Sequence, residues 1–138
     1  MKGQYLTVEY LIFFIIGLVM IVSVYFIFSN INAIAEKNTI KSQLKSVGET
    51  IKETAINLLE TSSSTESEIN YNLTIPPKLS RCIYTIEVDN KLNLNCTHDY
   101  SIGAILSLYN LNIKTENIIY STKGYVEISA FNGMVELK

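Results

Sequence analysis

The chain has 138 residues, of which 48% are hydrophobic and 17% charged, and its formal net charge is −2 at pH 7. This length fits one domain, or a smaller domain with a membrane anchor. Eleven basic residues against thirteen acidic ones leave no positive surplus to bind a phosphate backbone, which argues against nucleic acid as a partner. The high hydrophobic fraction excludes a largely disordered chain.

The most apolar part of the chain lies near its start. Residues 10–35 carry no charge, and within residues 10–28 only Gly17 and Ser23 fall outside the hydrophobic set. As an α-helix, residues 10–28 would span roughly 28 Å, close to the hydrocarbon thickness of a bilayer. Their Leu, Ile, Val and Phe side chains contribute about −4 to −8 kcal/mol to membrane insertion. We therefore predict a transmembrane helix over residues 10–31 in contact with membrane lipid, rather than a buried core helix or a cleaved secretory signal.

A second helical pattern follows the apolar segment. Six apolar residues recur at steps of three and four, as on one stripe of an α-helix; they are Ile40, Leu44, Val47, Ile51, Ala55 and Leu58. No proline occurs before position 76. We therefore expect the transmembrane helix to continue through residues 32–60 as an amphipathic extension, followed by a polar linker rich in Ser and Thr over residues 61–68.

The period of the pattern changes to two in residues 69–138, which we call the head. Apolar and polar residues alternate from position 69 to position 75, and two prolines end this strand. Residues 83–88 and 92–96 flank a short polar turn and predict a hairpin. Residues 125–131 and 134–137 flank Asn132-Gly133, the strongest short-range hairpin signal. We expect residues 102–113 to be mostly strand, although their alternation slips near Ser107.

Together these patterns predict an α+β fold. A long N-terminal helix, transmembrane in its first half and amphipathic in its second, would pack on a C-terminal antiparallel β-sheet or sandwich. The sheet would contain about five or six strands, each half-buried as its alternation indicates. The apolar stripe of the helix and the apolar face of the sheet would then cover each other.

Residues 1–9 carry a motif that suggests processing. Residues 1–4 read Met-Lys-Gly-Gln, and a hydroxyl at Thr7 and a carboxylate at Glu9 precede the apolar run. This motif resembles the class III signal peptide of archaeal type IV pilin-like proteins, in which a prepilin peptidase removes a short basic leader after glycine. The resemblance implies cleavage between Gly3 and Gln4 and a pilin-like fold. It also implies bundling of the hydrophobic helices with like subunits into a surface filament, with cell adhesion among the implied roles.

The spacing of this motif departs from that of the family by one residue. Thr7 and Glu9 lie three and five residues after Gln4, whereas the family places its hydroxyl and its glutamate two and four residues after the glutamine. If the peptidase measures from Glu9, cleavage before Tyr5 would restore the glutamate to the fifth mature position. The sequence leaves both cleavage positions open.

Glu9 lies at the edge of the predicted membrane span. A carboxylate there is tolerated while it reaches the headgroups, and is costly inside the hydrocarbon without a partner. In a bundle of identical subunits, the new N-terminal amine of one chain could pair with Glu9 of its neighbour and fix the axial register of assembly. The alternative is that Glu9 is the polar flank of an ordinary anchor.

Two cysteines, Cys82 and Cys96, flank the first predicted hairpin. A disulfide between them would close a loop of about 15 residues and stabilise the head by roughly 3 kcal/mol, and free buried thiols are the alternative. A metal site with His98 is disfavoured because a single Cys-x-His does not make a tetrahedral site. Glycosylation sequons begin at Asn72 and Asn95 and matter only if the head is translocated.

The sequence contains no paired carboxylates in a pocket-like setting, Gly-rich phosphate loop or activated nucleophile motif. We therefore expect neither catalysis nor a cofactor, a metal or a small-molecule substrate. The resemblance implies a major or minor subunit of an archaeal surface filament. A non-polymerising, membrane-anchored β domain that acts as an accessory or binds a partner is the main alternative, and a membrane-anchored enzyme with an unrecognised site is a third.

The orientation in the membrane rests on the resemblance. Lys37, Lys41 and Lys45 follow the span, and a count of basic residues alone would place the head in the cytoplasm. The resemblance to pilin-like proteins implies the opposite arrangement. We therefore expect a single-pass protein of the cell membrane with a cytoplasmic N-terminus and an external head.

Overall fold

The structure is a computed structural model that describes residues 2–138, with side chains from Val8 onward. One helix, α1, spans Lys2–Thr65 and is followed by eight strands. The strands are β1 Ile69–Thr74, β2 Tyr84–Val88, β3 Lys91–Cys96, β4 Gly103–Ser107, β5 Ile113–Thr115, β6 Ile119–Tyr120, β7 Tyr125–Phe131 and β8 Met134–Leu137. A single 3₁₀ turn, Ser121–Lys123, connects β6 to β7.

The chain divides into two compact units. The first ends at Lys37 and consists of the apolar half of α1, and the second is Asn38–Lys138. In the second unit, the remainder of α1 packs on two four-stranded sheets, ordered β1-β7-β8-β5 and β4-β3-β2-β6. This layout confirms the predicted α+β class.

The sheets differ from the prediction in the number of strands and in the direction of one strand pair. The structure has eight strands instead of five or six, arranged in two sheets as the sandwich alternative allows, and β5 pairs with β8 in parallel while the other pairs are antiparallel. The strands missing from the prediction are β5 and β6, with three and two residues. A strand this short does not contain enough alternation to stand out in a sequence.

Both predicted hairpins are confirmed. In the first, β2 and β3 pair from Tyr84 opposite Cys96 to Val88 opposite Leu92. In the second, β7 and β8 meet at Phe131 opposite Met134. The two residues between them, Asn132 and Gly133, have φ of 48° and 76°, as a two-residue type I′ turn requires.

The prediction for residues 102–113 is wrong in its second half. Strand β4 ends at Ser107, the position at which the alternation slips. The chain then turns: Tyr109 has φ 50°, and the Leu111 amide donates to the Leu108 carbonyl at 3.0 Å. These two features interrupt the extended backbone until β5 begins.

The helix is longer than predicted and includes most of the proposed linker. It ends at Thr65, and Glu66 follows with φ 52°. The hydroxyls of Thr61 and Thr65 donate to carbonyls one turn earlier, at 2.8 and 2.9 Å. These hydroxyls therefore make their hydrogen bonds within the helix, as Ser and Thr commonly do at helical positions. Ser62, in the same segment, is buried.

The predicted apolar stripe forms the contact between α1 and the sheets. Its residues are buried or partly buried in one core with side chains from both sheets. At Gly48 the helix comes so close to β4 that an added Cβ would lie 2.5 Å from Leu106 Cδ1. The absence of a side chain allows this approach. One turn later, Lys52 Nζ donates to the Ser107 carbonyl at 3.0 Å and lies 4.6 Å from the centre of the Tyr109 ring.

Candidate functional site

The apolar half of α1 is the candidate functional site. Residues 8–39 are exposed in the single chain, apart from a half-buried Gly17. Large side chains along this segment, among them Phe14, Met20 and Phe28, are each more than 60% exposed. A contiguous apolar surface of this size marks a surface that contacts another apolar phase or a partner.

This segment has the length and chemistry of a membrane span. Within the described residues, α1 is a helix long and apolar enough to cross a membrane, and none of its most apolar 18-residue window is buried. Its backbone groups are satisfied within the helix, as hydrocarbon demands. The serine hydroxyl within it is also satisfied, because Ser23 Oγ donates to the Val19 carbonyl at 2.8 Å.

The residues of the processing motif are only partly described. Gly3 and Gln4 belong to α1 by backbone, but the side chain of Gln4 lies outside the described residues, as do those of Tyr5 and Thr7. Glu9 is described: it is exposed and immediately precedes the apolar run. Cleavage after Gly3 or Gln4 and pairing of Glu9 in an assembly both stay predictions.

The two cysteines are bonded to each other in the structure. Cys82 and Cys96 form a disulfide with a Cα–Cα distance of 5.5 Å, and both residues are buried. Cys96 ends β3, and Cys82 lies in the loop between β1 and β2, in a β-bridge with Leu79. In residues 8–138 no group of three or more His, Cys, Asp or Glu side chains is arranged to hold a metal ion.

The two sequons lie in different surroundings. Asn72 is exposed on β1, a strand at the edge of its sheet. Asn95 is half-buried on β3, which lies between β2 and β4. Sequence alone assigns the same motif to both positions, whereas the fold separates them by exposure and by the order of the strands.

Two buried hydroxyls that the sequence does not single out hold the Pro76-Pro77 loop. Tyr84 Oη donates to the Pro76 carbonyl at 2.8 Å, and Ser121 Oγ donates to the Pro77 carbonyl at 2.9 Å. Ser121 Oγ also accepts from the Tyr84 amide at 3.1 Å. Burial raises the pKa of Tyr84 to about 12, so its hydroxyl keeps the proton that it donates. These contacts fix the loop that carries Cys82, and local sequence patterns give no signal for them because the partners are distant in sequence.

Comparison with protein-family models, with curated proteins and with solved structures finds no match for this chain. The resemblance to pilin-like proteins therefore depends on the motif of residues 1–9 and on the order of the elements. The structure itself gives the α+β layout and one apolar helix near the N-terminus.

Proposed function

We propose that this protein is a single-pass membrane protein of the type IV pilin-like class, a subunit of an archaeal surface filament with its head outside the cell. The observation that carries the proposal is one continuous helix, exposed and apolar over residues 10–28 and packed on a β-rich head from Ile40 onward. The exposed apolar side chains of residues 10–28 require an apolar environment. The apolar side chains from Ile40 onward are already covered by the head. A membrane anchor that continues into a folded head meets both requirements.

Insertion in a bilayer is favourable for the apolar segment. Its side chains sum to about −4 to −8 kcal/mol on an insertion scale, and no charged residue lies between Glu9 and Glu36 to offset this gain. The hydrogen bond that Ser23 Oγ donates within the helix lowers the cost of placing this hydroxyl in hydrocarbon. Membrane lipid is therefore the proposed first partner.

Assembly is supported by the position of Glu9. The side chain is exposed at the last position before the apolar run. In a filament the apolar helices would leave the bilayer and pack on one another, and a carboxylate drawn into that bundle needs a cationic partner. The N-terminal amine created by a prepilin peptidase on a neighbouring subunit is such a partner.

Processing is tested by the intact mass of the protein extracted from the membranes of its own host. We expect loss of residues 1–3 or of residues 1–4, which correspond to the two cleavage positions left open by the motif. A mass that retains Lys2 and Gly3 would contradict processing. The protein would then be a membrane-anchored β domain that does not polymerise.

Assembly is tested by Glu9→Gln, which removes the charge and keeps the size of the side chain. We expect filaments to be lost while the protein remains in the membrane fraction, because the charge sets the register of assembly and does not drive insertion. Glu53→Gln is the matched control, since Glu53 is exposed on the same helix outside the apolar run. Normal filaments with Glu9→Gln would rule out the register role.

A further inference from the structure

The two sequons of the head are not equivalent in the fold. We propose that Asn72, and not Asn95, carries an N-linked glycan, and that this glycan covers the free edge of β1. The inference rests on the proposed location of the head outside the membrane, where glycosylation takes place. It goes beyond the proposed function because it assigns a modification site and gives the modification a role in the fold.

Asn72 and Thr74, the first and third residues of the first sequon, are both accessible. Within residues 2–138, strand β1 pairs only with β7 and no strand pairs with its other side. Asn72 lies opposite Glu127 in this pair, between the positions of the fully buried Val126 and Ile128. Because side chains alternate along a strand, Asn72 belongs to the outer face, and it is exposed, as is Thr74. A glycan on Asn72 therefore extends into solvent without moving any part of the head.

All three residues of the second sequon are engaged in the fold. Asn95 lies between Thr85 on β2 and Gly103 on β4, and its side-chain oxygen occupies the space over Gly103 that a Cβ would need. Cys96 is bonded to Cys82. The Thr97 hydroxyl donates to the Ile83 carbonyl at 3.1 Å. Attachment of a glycan would require the Asn95 side chain to leave its place over Gly103 in the middle of the sheet. A glycan at Asn95 is therefore incompatible with the packing of the folded head.

The free edge of β1 lacks the usual protection against strand addition. Edge strands are normally guarded by a charge, a proline or a bulge, or are covered by another element. Strand β1 reads Ile-Asn-Tyr-Asn-Leu-Thr without a charge or a proline, and all six residues pair in regular register with β7. Tyr71 leaves 48% of its surface exposed on this strand. A bulky, hydrated group at the adjacent Asn72 would prevent another chain from pairing with this edge.

The chemistry is a single group transfer. A bond forms between Asn72 Nδ2 and the anomeric carbon of an oligosaccharide carried by a polyisoprenyl phosphate or diphosphate. The bond from that carbon to the phosphate oxygen breaks, and the lipid phosphate leaves with the bonding electrons. The amide nitrogen gives up one proton, which the departing lipid phosphate takes up.

Peptide mapping tests the assignment directly. The full chain is extracted from the membranes of its own host, reduced and digested with trypsin, which places the two sequons in separate peptides, residues 53–78 and 92–114. We expect a sugar mass on the first peptide and none on the second. A sugar on the second peptide, or on neither, overturns the proposal.

Three variants test the residue and its role. Asn72→Gln should remove the sugar mass, Thr74→Ser should keep it because the sequon is preserved, and Asn70→Gln should leave it unchanged. Asn70 is the matched control because it is exposed on the same strand two residues earlier. In light scattering of the purified full-length protein in detergent, Asn72→Gln should aggregate at least several-fold faster than Asn70→Gln. Equal aggregation rates would overturn the shielding role.

Protease treatment of intact cells separates this proposal from the proposed function. If external protease cleaves the head while the peptide of residues 53–78 carries no sugar, the glycan assignment alone fails. If the head is protected from external protease, the external location fails and the glycan assignment fails with it. Cleavage of the head together with a sugar on Asn72 supports both.

Discussion

Reduction of the disulfide between Cys82 and Cys96 should lower the free energy of unfolding of the head by about 3 kcal/mol. The bridge joins residues 14 positions apart. A cross-link that closes a loop of about 15 residues lowers the conformational entropy of the unfolded chain, and this raises the free energy of unfolding by about 3 kcal/mol. The measurement is urea unfolding of the full chain in detergent, with and without reductant, followed by near-ultraviolet circular dichroism. The buried ring of Tyr84, which lies opposite Cys96, gives a signal that reports on this part of the core.

The control for this prediction is the double variant Cys82→Ala with Cys96→Ala. It should be about as unstable as the reduced wild-type protein and should not respond to reductant. Two results would each contradict the bridge: a wild-type protein whose unfolding is the same with and without reductant, or two reactive thiols in the unreduced protein under denaturing conditions. Either would favour the free buried thiols that the sequence leaves as the alternative.

The elements that the sequence predicts correctly are those whose signals are local and repeated. The stripe from Ile40 to Leu58 extends over five turns of helix, so one irregular position does not hide its period. The hairpin at Asn132-Gly133 depends on two residues that both adopt positive φ, a requirement that few other residue pairs meet. In both cases, the residues that carry the signal are also the residues that determine the structure.

The features that the sequence does not predict depend on contacts between distant residues. Ser121 holds the Pro77 carbonyl across 44 positions of sequence, and the parallel pairing of β5 with β8 depends on how the chain returns to the sheet. A glycine inside a helix usually lowers its stability, but at Gly48 the missing side chain leaves the space that Leu106 occupies. Such roles depend on packing between distant residues, so a short stretch of sequence cannot predict them.

The features of the candidate site also differ in whether they can be predicted from local sequence. The apolar span is visible in the sequence because its composition alone excludes most other environments. The difference between Asn72 and Asn95 is invisible there, since both begin the same motif and only the order of strands makes one an edge residue and the other a central one. The register role that we propose for Glu9 is a third case, because it would depend on neighbouring subunits and on the membrane rather than on the fold of one chain.

Two charges in the centre of the apolar segment should release the protein from the membrane. Arginine at the middle of a span costs about 2.5–3.5 kcal/mol on the insertion scale, so Val19→Arg with Met20→Arg costs about 5–7 kcal/mol. This is comparable to the whole favourable sum of about −4 to −8 kcal/mol for the segment. We therefore expect most of the variant protein to move from the membrane fraction to the soluble or aggregated fraction after extraction at high pH.

The matched control places the same two charges on the packed half of the helix. Ser42→Arg with Ser46→Arg changes two exposed positions of α1 outside the apolar run, so it adds equal charge without a cost of insertion and should remain in the membrane. If the variant with charges at positions 19 and 20 also remains there, the segment is not what holds the protein in the bilayer. Its exposed apolar surface would then be covered by protein, and the free energy that we assign to lipid contact would belong to a partner helix.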